Sequence, residues 1–337
     1  MNLPAQTETC KPAMLEIIDL VKYYPAGGGS LSSPQENIRA VDGVSFFIKE
    51  GETLGLVGES GCGKSTLTRV VLKLEEPTAG RILFEGEDVT AWQGRKLREL
   101  RKNMQIIFQD AYSSLNPRMT VEQIIGEPLA NYCKDTRKER RRNVRELLQI
   151  VGLNPEHLQR YPHEFSGGQR QRIGIARALA LRPKLIICDE SIASLDVSIQ
   201  AQILNLLKEL KDGFGLSYLF ISHDLAAVKY ISDRVAVMYS GRIVEVIRAE
   251  DLTKEAGHPY TQSLLAAVPL PDPGKRDSKQ AILRGEPPNP VKPPSGCRFH
   301  PRCPRAAEIC KVTEPELQAI GPDHRAACHF VRQKFKL

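Results

Sequence analysis

A glycine-rich segment around residue 60 constrains the fold of this chain more than any other feature. Residues 58–66 have the sequence GESGCGKST, follow the apolar run LGLV at 54–57, and precede a stretch with helical periodicity at 67–74. In this strand, loop and helix context a G-x-x-x-x-G-K-[ST] segment forms a phosphate-binding loop (P-loop), because its glycines let backbone N–H groups close around phosphate oxygens. The segment therefore predicts an α/β nucleotide-binding domain.

The P-loop supplies most of the predicted nucleotide contacts. Lys64 is expected to place its charge on the β- and γ-phosphates, and the Ser65 hydroxyl to ligate Mg²⁺. The start of the following helix adds the positive end of its dipole. The predicted ATP-binding residues of the loop are Gly58, Glu59, Ser60, Gly61, Cys62, Gly63, Lys64, Ser65 and Thr66.

Composition places the chain among soluble globular proteins. Its 337 residues are 41% hydrophobic and 26% charged, with a mean hydropathy of −0.29, which excludes a collagen-like, disordered or integral membrane chain. No apolar run approaches the roughly 18 residues that a membrane-spanning helix needs. Because the N-terminus also lacks the pattern of a secretory signal, we expect the protein to stay in the cytoplasm and to reach a membrane only through partners.

The net charge of +7 suits nucleic acid, an anionic membrane surface or a phosphorylated ligand, without choosing among them. Basic residues are densest at 95–102 and at 134–145. Both stretches are interpreted as solvated helix faces, because the interleaved aromatic residues that stack on bases are missing. No nucleic-acid partner is predicted.

The chain is predicted to divide into a nucleotide-binding domain at residues 1–255 and a C-terminal domain at 256–337. Apolar runs at 54–57, 105–108, 185–188 and 218–221 indicate buried strands of an α/β domain. Residues 113–182 show helical periodicity throughout and are predicted to form a helical subdomain. Thirteen of the 23 prolines lie between Pro259 and Pro322, which favours an irregular tail held by something other than a large core.

Residues 184–190, KLIICDE, form an apolar strand that ends in two carboxylates. Asp189 is expected to hold Mg²⁺ through water, and Glu190 to orient and polarise the attacking water. Such an acidic pair is a weak signal alone, and its value comes from following a P-loop in the same domain.

Residues 165–169, FSGGQ, stand about twenty residues before that strand and resemble the LSGGQ signature of the ATP-binding cassette (ABC) family. At the start of a predicted helix over 169–180, this segment makes a second phosphate-binding surface. The resemblance implies that Ser166, Gly167, Gly168 and Gln169 bind the γ-phosphate of ATP held by an opposite subunit, so that two cassettes enclose two nucleotides.

The same resemblance assigns further site residues. Gln109 matches the glutamine that approaches Mg²⁺ and water and links the site to the helical subdomain, and His223 matches the histidine that contacts the γ-phosphate. Tyr24, with Tyr23 as the second choice, matches the aromatic residue that stacks on adenine. Asp196 matches the acidic residue of the D-loop at the dimer seam. One departure is that Ser191-Ile192 follow Glu190 where the family has Pro-Thr or a similar pair, and Ala193-Ser194 invert the common order.

The match is closest to the ATPase subunits of oligopeptide, dipeptide and nickel importers. It rests on residues 40–46 (AVDGVSF), 109–120 (QDAYSSLNPRMT) and 258–261 (HPYT), and Cys62 favours the second, F-type ATPase of the pair. This resemblance implies a heterodimer with a homologous ATPase subunit, two transmembrane permeases and an external peptide-binding protein, at the cytoplasmic face of the membrane. Peptides are the predicted cargo, while nickel, glutathione and antimicrobial peptides stay open.

Four of the eight cysteines, Cys297, Cys303, Cys310 and Cys328, fall within the last forty-one residues. They lack the C-x₂-C pairs of a zinc ribbon, and four thiolates can hold either Zn²⁺ or a [4Fe–4S] cluster. Importer ATPases with a similar tail bind a [4Fe–4S] cluster, so the resemblance favours the cluster over zinc or free thiols. Such a centre would be the main cross-link of a tail with a small core.

Two other function classes remain to be compared with the importer. One is a soluble ABC ATPase that acts on nucleic acid or ribosomes, although such proteins usually carry two cassettes or large insertions, and this chain has one P-loop. The other is a catalytically degenerate partner of an active cassette, which the presence of Lys64, Glu190 and His223 argues against.

Overall fold

An eight-stranded sheet positions the P-loop. The computed structural model describes residues 13–26, 36–110, 114–193, 195–267 and 285–331. The strands are β1 (Ala13–Pro25), β2 (Asn37–Lys49), β3 (Thr53–Val57), β4 (Ala79–Phe84), β5 (Glu87–Asp88), β6 (Met104–Ile107), β7 (Leu185–Asp189), β8 (Ser217–Ile221), β9 (Arg234–Tyr239), β10 (Arg242–Arg248), β11 (Gln318–Gly321) and β12 (His324–Ala326). The four strands predicted from apolar runs correspond to β3, β6, β7 and β8.

The order of this sheet is β11-β12-β10-β9-β3-β8-β7-β6. Strands β6, β7, β8, β3 and β9 are parallel neighbours, so their carboxyl ends lie at one edge. The P-loop, Glu190, His223 and Gln109 all follow those ends directly, which explains why they meet. A second, antiparallel sheet has the order β2-β1-β4-β5.

The helices pack around these sheets. They are α1 (Lys64–Val71), α2 (Gly94–Asn103), α3 (Val121–Tyr132), α4 (Arg137–Ile150), α5 (Gly167–Leu179), α6 (Val197–Phe214), α7 (Leu225–Ile231), α8 (Leu252–Glu255), α9 (Pro259–Ala266) and α10 (Glu308–Val312). None of them, in the described ranges, is long and apolar enough to cross a membrane.

Between β6 and β7 the described residues form α3, α4, α5 and two 3₁₀ turns, without a strand. Thr120, Thr136 and Ser166 each begin one of these helices with a capping box, in which a side chain and a backbone N–H are satisfied reciprocally. The basic stretches predicted to be solvated lie on α2 and α4, where most residues are exposed; Leu100 on α2 and Val144 and Leu148 on α4 are buried.

The described part of the tail has only short elements, as its proline content predicts, but it is joined to the rest more closely than a small separate core would require. Strand β12 pairs with β10 and extends the large sheet. Tyr260 and Phe299 are fully buried in the same hydrophobic cluster as the helical segment. Burial of such aromatic rings supplies stabilisation that does not depend on the cysteines.

Glu245 on β10 anchors the tail from inside. Its fully buried carboxylate accepts hydrogen bonds from the backbone N–H groups of Gly257 (2.6 Å) and His258 (3.1 Å), and lies 2.8 Å from His324 Nε2. This carboxylate connects the turn before α9 with strand β12, so three parts of the chain share one buried acceptor.

Candidate functional site

The P-loop forms the floor of an open pocket. Gly63 has φ +109°, and a Cβ there would lie 2.1 Å from the Ala40 carbonyl oxygen, so only glycine fits. The described lining comprises Ile38, Arg39, Ala40, Glu59, Ser60, Gly61, Cys62, Gly63, Lys64, Ser65, Thr66, Arg69, Glu190, Tyr239, Ser240, Gly241, Pro287, Pro288 and Pro290. Three basic side chains, Arg39, Lys64 and Arg69, face two carboxylates, a balance that suits a polyanionic ligand.

Lys64 is held over the loop that precedes it. Its buried ammonium donates hydrogen bonds to the carbonyl oxygens of Gly58 (2.8 Å) and Glu59 (3.1 Å), and lies 3.8 Å from the Cys62 sulfur. Burial raises the pKa of the Cys62 thiol, so this cysteine is a packed neutral group beside the lysine. The lysine charge is thereby placed at the loop that surrounds phosphates.

Asp189 and Glu190 lie at the carboxyl end of β7. Burial raises the pKa of Asp189, with a further rise from the neighbouring Glu190 carboxylate, while Lys64 and Arg69 lower it. The Asp189 Oδ1 atom is buried and, among the described residues, meets no hydrogen-bond donor. A buried carboxylate oxygen of this kind suits a hard cation such as Mg²⁺.

The structure brings the three predicted catalytic residues together. Gln109 Nε2 donates a hydrogen bond to Glu190 Oε2 (2.8 Å), and His223 Nδ1 lies 3.7 Å from the same oxygen. Glu190 has φ +46°, a left-handed conformation that costs energy in a residue with a Cβ, and its N–H is fixed by Ile221 O (2.9 Å). The fold therefore holds this carboxylate in a strained backbone position beside the pocket.

Neither tyrosine predicted to stack on adenine lines the pocket. The Tyr24 hydroxyl donates to the Glu75 carboxylate, and Lys22 Nζ lies 5.0 Å from the centre of its ring. The Tyr23 hydroxyl donates to Asp42 (2.6 Å). Burial raises the pKa of both phenols.

The predicted signature segment also lies outside the pocket lining. Ser166 caps α5 through Gln169, while Gly168 is packed so tightly on α6 that a Cβ there would lie 2.5 Å from Ile199. Asp196 is exposed at the start of α6, next to Val197, whose side chain is 82% exposed. Within one chain, Ser166 and Asp196 are exposed, and none of the signature residues lines the pocket of its own P-loop.

The four tail cysteines line one small cavity, together with Phe299, His300 and Phe330. Burial raises the pKa of Cys303 and Cys328, and raises that of Cys297 to about 11; the other thiols add to the rise at Cys297. Backbone N–H groups of the residue two positions later face the sulfurs of these three cysteines, with Arg305 N 3.4 Å from Cys303 Sγ. Across the described ranges, no three His, Cys, Asp or Glu side chains converge as a site for one metal ion.

Sequence reasoning missed the contacts between the tail and the P-loop. Arg302 donates to both carboxylate oxygens of Glu59, at 2.7 and 3.0 Å, and the Tyr260 hydroxyl accepts the Glu59 backbone N–H at 2.9 Å. Pro287, Pro288 and Pro290 form part of the pocket wall. The motif HPYT marks Tyr260, but nothing in the sequence connects Arg302 with a residue 243 positions away.

Taken together, a glycine loop between strand and helix, a buried lysine and a strand-end acidic pair define a P-loop ATPase. Two family models match the chain: ABC transporter at residues 41–193, and oligopeptide/dipeptide transporter, C-terminal region, at residues 244–310. An oligopeptide transport ATP-binding protein of Bacillus subtilis is 52% identical over 96% of this chain and 99% of its own length. A probable peptide ABC transporter ATP-binding protein of Sinorhizobium fredii is 53% identical over 94% of this chain and 90% of its own length.

The chain belongs to the ABC transporter ATPases, in the oligopeptide and dipeptide branch. Among solved structures, a dimeric bacterial ABC transporter cassette superposes with a TM-score of 0.63 at 28% identity, covering 70% of this chain and 99% of that one. A dimeric cassette in a post-hydrolysis state, bound to ADP and phosphate, superposes with a TM-score of 0.62 over 70% of this chain and 99% of its own length. The predicted family, the P-loop fold and the ATPase activity are thus confirmed.

Proposed function

We propose that this chain is the ATP-hydrolysing subunit of a peptide importer, bound at the cytoplasmic face of the membrane to two permeases and to a homologous second ATPase. The observation that carries the proposal is the meeting of Gln109, Glu190 and His223 beside a P-loop, in a chain whose tail matches the oligopeptide/dipeptide transporter region. Relatives over nearly the full length carry peptide-import names, which favours peptides as the cargo.

In this proposal the P-loop residues bind the phosphates of ATP and the base of the pocket binds its metal. Lys64 and the loop N–H groups neutralise the β- and γ-phosphates. Ser65, Asp189 and Gln109 hold Mg²⁺, which supplies charge stabilisation for the transferred phosphoryl group. The buried Asp189 Oδ1, which meets no hydrogen-bond donor in the described part of the chain, supports this assignment.

Glu190 then acts as the residue that orients and polarises the attacking water. Gln109 supports it by donating to Oε2, which leaves the other carboxylate oxygen for the water. His223 follows the end of β8, its side chain is 61% exposed, and its proposed role is to contact the γ-phosphate. Because Gln109 precedes the helical segment, its contact with Glu190 joins the hydrolytic site to that segment.

The signature and D-loop residues are proposed to act on a second cassette. Ser166, Gly167, Gly168 and Gln169 lie outside the pocket of their own chain, and Asp196 is exposed beside Val197. The exposed Ser166 at the start of α5, and the exposed Val197 that follows Asp196, support a role across a dimer seam. The solved relatives described as dimers are consistent with this role.

The four tail cysteines are proposed to hold a [4Fe–4S] cluster. A zinc ion needs four sulfurs converging at about 2.3 Å from one point, whereas a cluster is held by thiolates spread around a larger body. Four thiols that line one cavity, with backbone N–H donors facing the sulfurs of Cys297, Cys303 and Cys328, support a thiolate-held group. Binding of such a group would displace the thiol protons, because metal ligands bind as thiolates.

Peptide import is tested by purifying the tagged chain from membranes in mild detergent and identifying the bound proteins. Two permeases and a second cassette are expected, and cells with Glu190→Gln should lose uptake of labelled short peptides. Glu209→Gln, on the exposed face of α6, is the matched control. Recovery of ribosomal or nucleic-acid partners alone would contradict the proposal.

The cluster is tested on the anaerobically purified chain by its contents of iron, acid-labile sulfide and zinc. Iron and sulfide in equal amounts, lost in Cys310→Ser, are expected. Zinc without sulfide, or neither element, would contradict the cluster and leave the ATPase assignment intact.

A further inference from the structure

The C-terminal tail reaches the P-loop through one carboxylate. Arg302, whose side chain is 6% exposed, grips both oxygens of Glu59, the second residue of the P-loop. The Tyr260 hydroxyl accepts the backbone N–H of the same residue. Side chain and backbone of Glu59 are thus both fixed from outside the loop, by residues that lie beyond position 255.

A carboxylate within the P-loop, such as that of Glu59, requires a positively charged partner. ATP brings several negative charges to the loop, and an unpaired Glu59 would oppose them at short range. A bidentate guanidinium neutralises the carboxylate and fixes its orientation, because the planar fork matches the two oxygens. The contact with Tyr260 also turns the Glu59 N–H towards the tail.

We propose that Arg302 and Tyr260 are positioning residues of the ATP site, and that the C-terminal tail sets the affinity for ATP through their contacts with Glu59. This proposal adds two positioning residues to the ATP site already described. It does not depend on peptide import or on the nature of any group held by the cysteines.

The surroundings of Arg302 support this coupling. Its guanidinium also donates to the Tyr239 hydroxyl (3.3 Å), and the Tyr239 ring packs against Tyr260 (4.5 Å between centroids) and Phe299 (5.2 Å). Phe299 is two residues from Cys297, and Arg302 is followed by Cys303. Because a close-packed interior transmits strain, a shift of one of these rings should change the position of Arg302.

A second part of the tail touches the same pocket. Pro287, Pro288 and Pro290 line it, and the Arg39 N–H donates to the Pro290 carbonyl oxygen (3.0 Å). The tail therefore contributes both to the wall of the nucleotide pocket and to the support of its floor.

A double-mutant cycle on ATP affinity tests the proposal with the purified full chain. Arg302→Gln should weaken ATP and ADP binding about ten-fold, because it leaves Glu59 unpaired beside the phosphates. In a Glu59→Gln background, where no charge is left unpaired, the same substitution should cost about two-fold at most. The turnover rate at saturating ATP should stay within about two-fold, since Arg302 touches no reacting atom.

A role of Arg302 in stability alone would give equal losses in both backgrounds, or a lower active fraction with unchanged affinity, and either result would overturn the proposal. Arg325→Gln, an exposed arginine of the same tail, is the matched control and should bind ATP as the unmodified chain does.

Two milder variants keep the test valid should Arg302→Gln fail to fold. Tyr260→Phe retains the packed ring and removes only the acceptor for the Glu59 N–H, and should weaken ATP binding about three-fold. Arg302→Lys retains the charge but loses the planar fork of the guanidinium. Its ATP affinity should lie between those of Arg302→Gln and the unmodified chain. Unchanged affinity in both variants would overturn the proposal.

Discussion

The nucleotide pocket is lined by residues from 38 to 290, whereas the four-cysteine cavity is lined by the tail alone, from 258 to 330, and the two are built differently. The catalytic side chains of the pocket are partly exposed and held by a few polar contacts, such as the one between Gln109 and Glu190. The thiols line a cavity together with aromatic rings, and burial raises the pKa of three of them, Cys297, Cys303 and Cys328. At the pocket, substitutions should therefore change nucleotide binding or turnover with little loss of stability. Around the cavity, they should lower stability with little change in the turnover rate.

The sharpest test of the expectation for the nucleotide pocket is Glu190→Gln. Loss of the carboxylate should lower the rate of ATP hydrolysis about 1,000-fold, because general-base assistance is removed while the amide keeps the shape. ATP affinity and the free energy of unfolding should hardly change, since the side chain is partly exposed. Phosphate release, equilibrium nucleotide binding and thermal unfolding measure the three quantities.

The control for that substitution is Glu209→Gln, which should leave turnover unchanged. Wild-type turnover in Glu190→Gln would refute the assigned role. A large loss of stability would instead show that the pocket is a structural unit like the cavity.

Lys64→Ala comes next in expected size. The substitution removes the buried ammonium at the P-loop, and with it a charge-assisted contact to the phosphates, so ATP binding should weaken about 100-fold. Titration with a fluorescent ATP analogue measures the affinity. Lys102→Ala, on the solvated face of α2, is the control, and an unchanged affinity in Lys64→Ala would exclude the phosphate role.

The same contrast explains what could be predicted from sequence. The P-loop and the strand-end carboxylates are contiguous motifs, so local pattern was enough to place β3, α1 and β7. Resemblance to the family supplied Gln109 and His223, and the parallel strands bring them to Glu190. The packing of Arg302 on Glu59 has no local signal, because it depends on how the tail folds back over the loop.

The tail shows the limit of composition as evidence. Its prolines correctly predicted short elements, but not that Tyr260 and Phe299 enter the main hydrophobic cluster or that β12 extends the large sheet. Apolar residues so far apart in a proline-rich segment have no periodicity that would predict a shared core.

In the tail, by contrast, Glu245→Gln should lower stability without changing the rate of ATP hydrolysis. The buried carboxylate accepts two backbone N–H groups and lies beside His324. An amide presents only one acceptor oxygen, so the free energy of unfolding should fall by about 2 kcal/mol. Chemical denaturation measures the loss, and the rate per folded molecule should be unchanged.

Glu250→Gln is the control for Glu245→Gln, because Glu250 is exposed and forms a surface ion pair with Arg248. It should cost less than about 0.5 kcal/mol. Equal effects of the two substitutions would show that the Glu245 network does not anchor the tail.

The smallest expected effect is the pH dependence that His258 contributes. Burial lowers the pKa of this imidazole to about 4, although the Glu245 carboxylate acts in the opposite direction. An unfolded chain binds the proton near about pH 6.5, so below that pH the unfolded state takes up more protons than the folded one and stability falls. Between about pH 7 and about pH 5.5, His258 should lower the free energy of unfolding by about 1.2 kcal/mol.

His258→Asn tests this share of the acid sensitivity. Asparagine retains an acceptor for the Tyr260 N–H, which His258 Nδ1 now accepts at 3.1 Å, but it does not titrate. Chemical denaturation at the two pH values should show a smaller loss in the variant than in the unmodified chain. Equal losses would mean that His258 stays neutral in both states or charges in both, and that the tail owes its acid sensitivity to other groups.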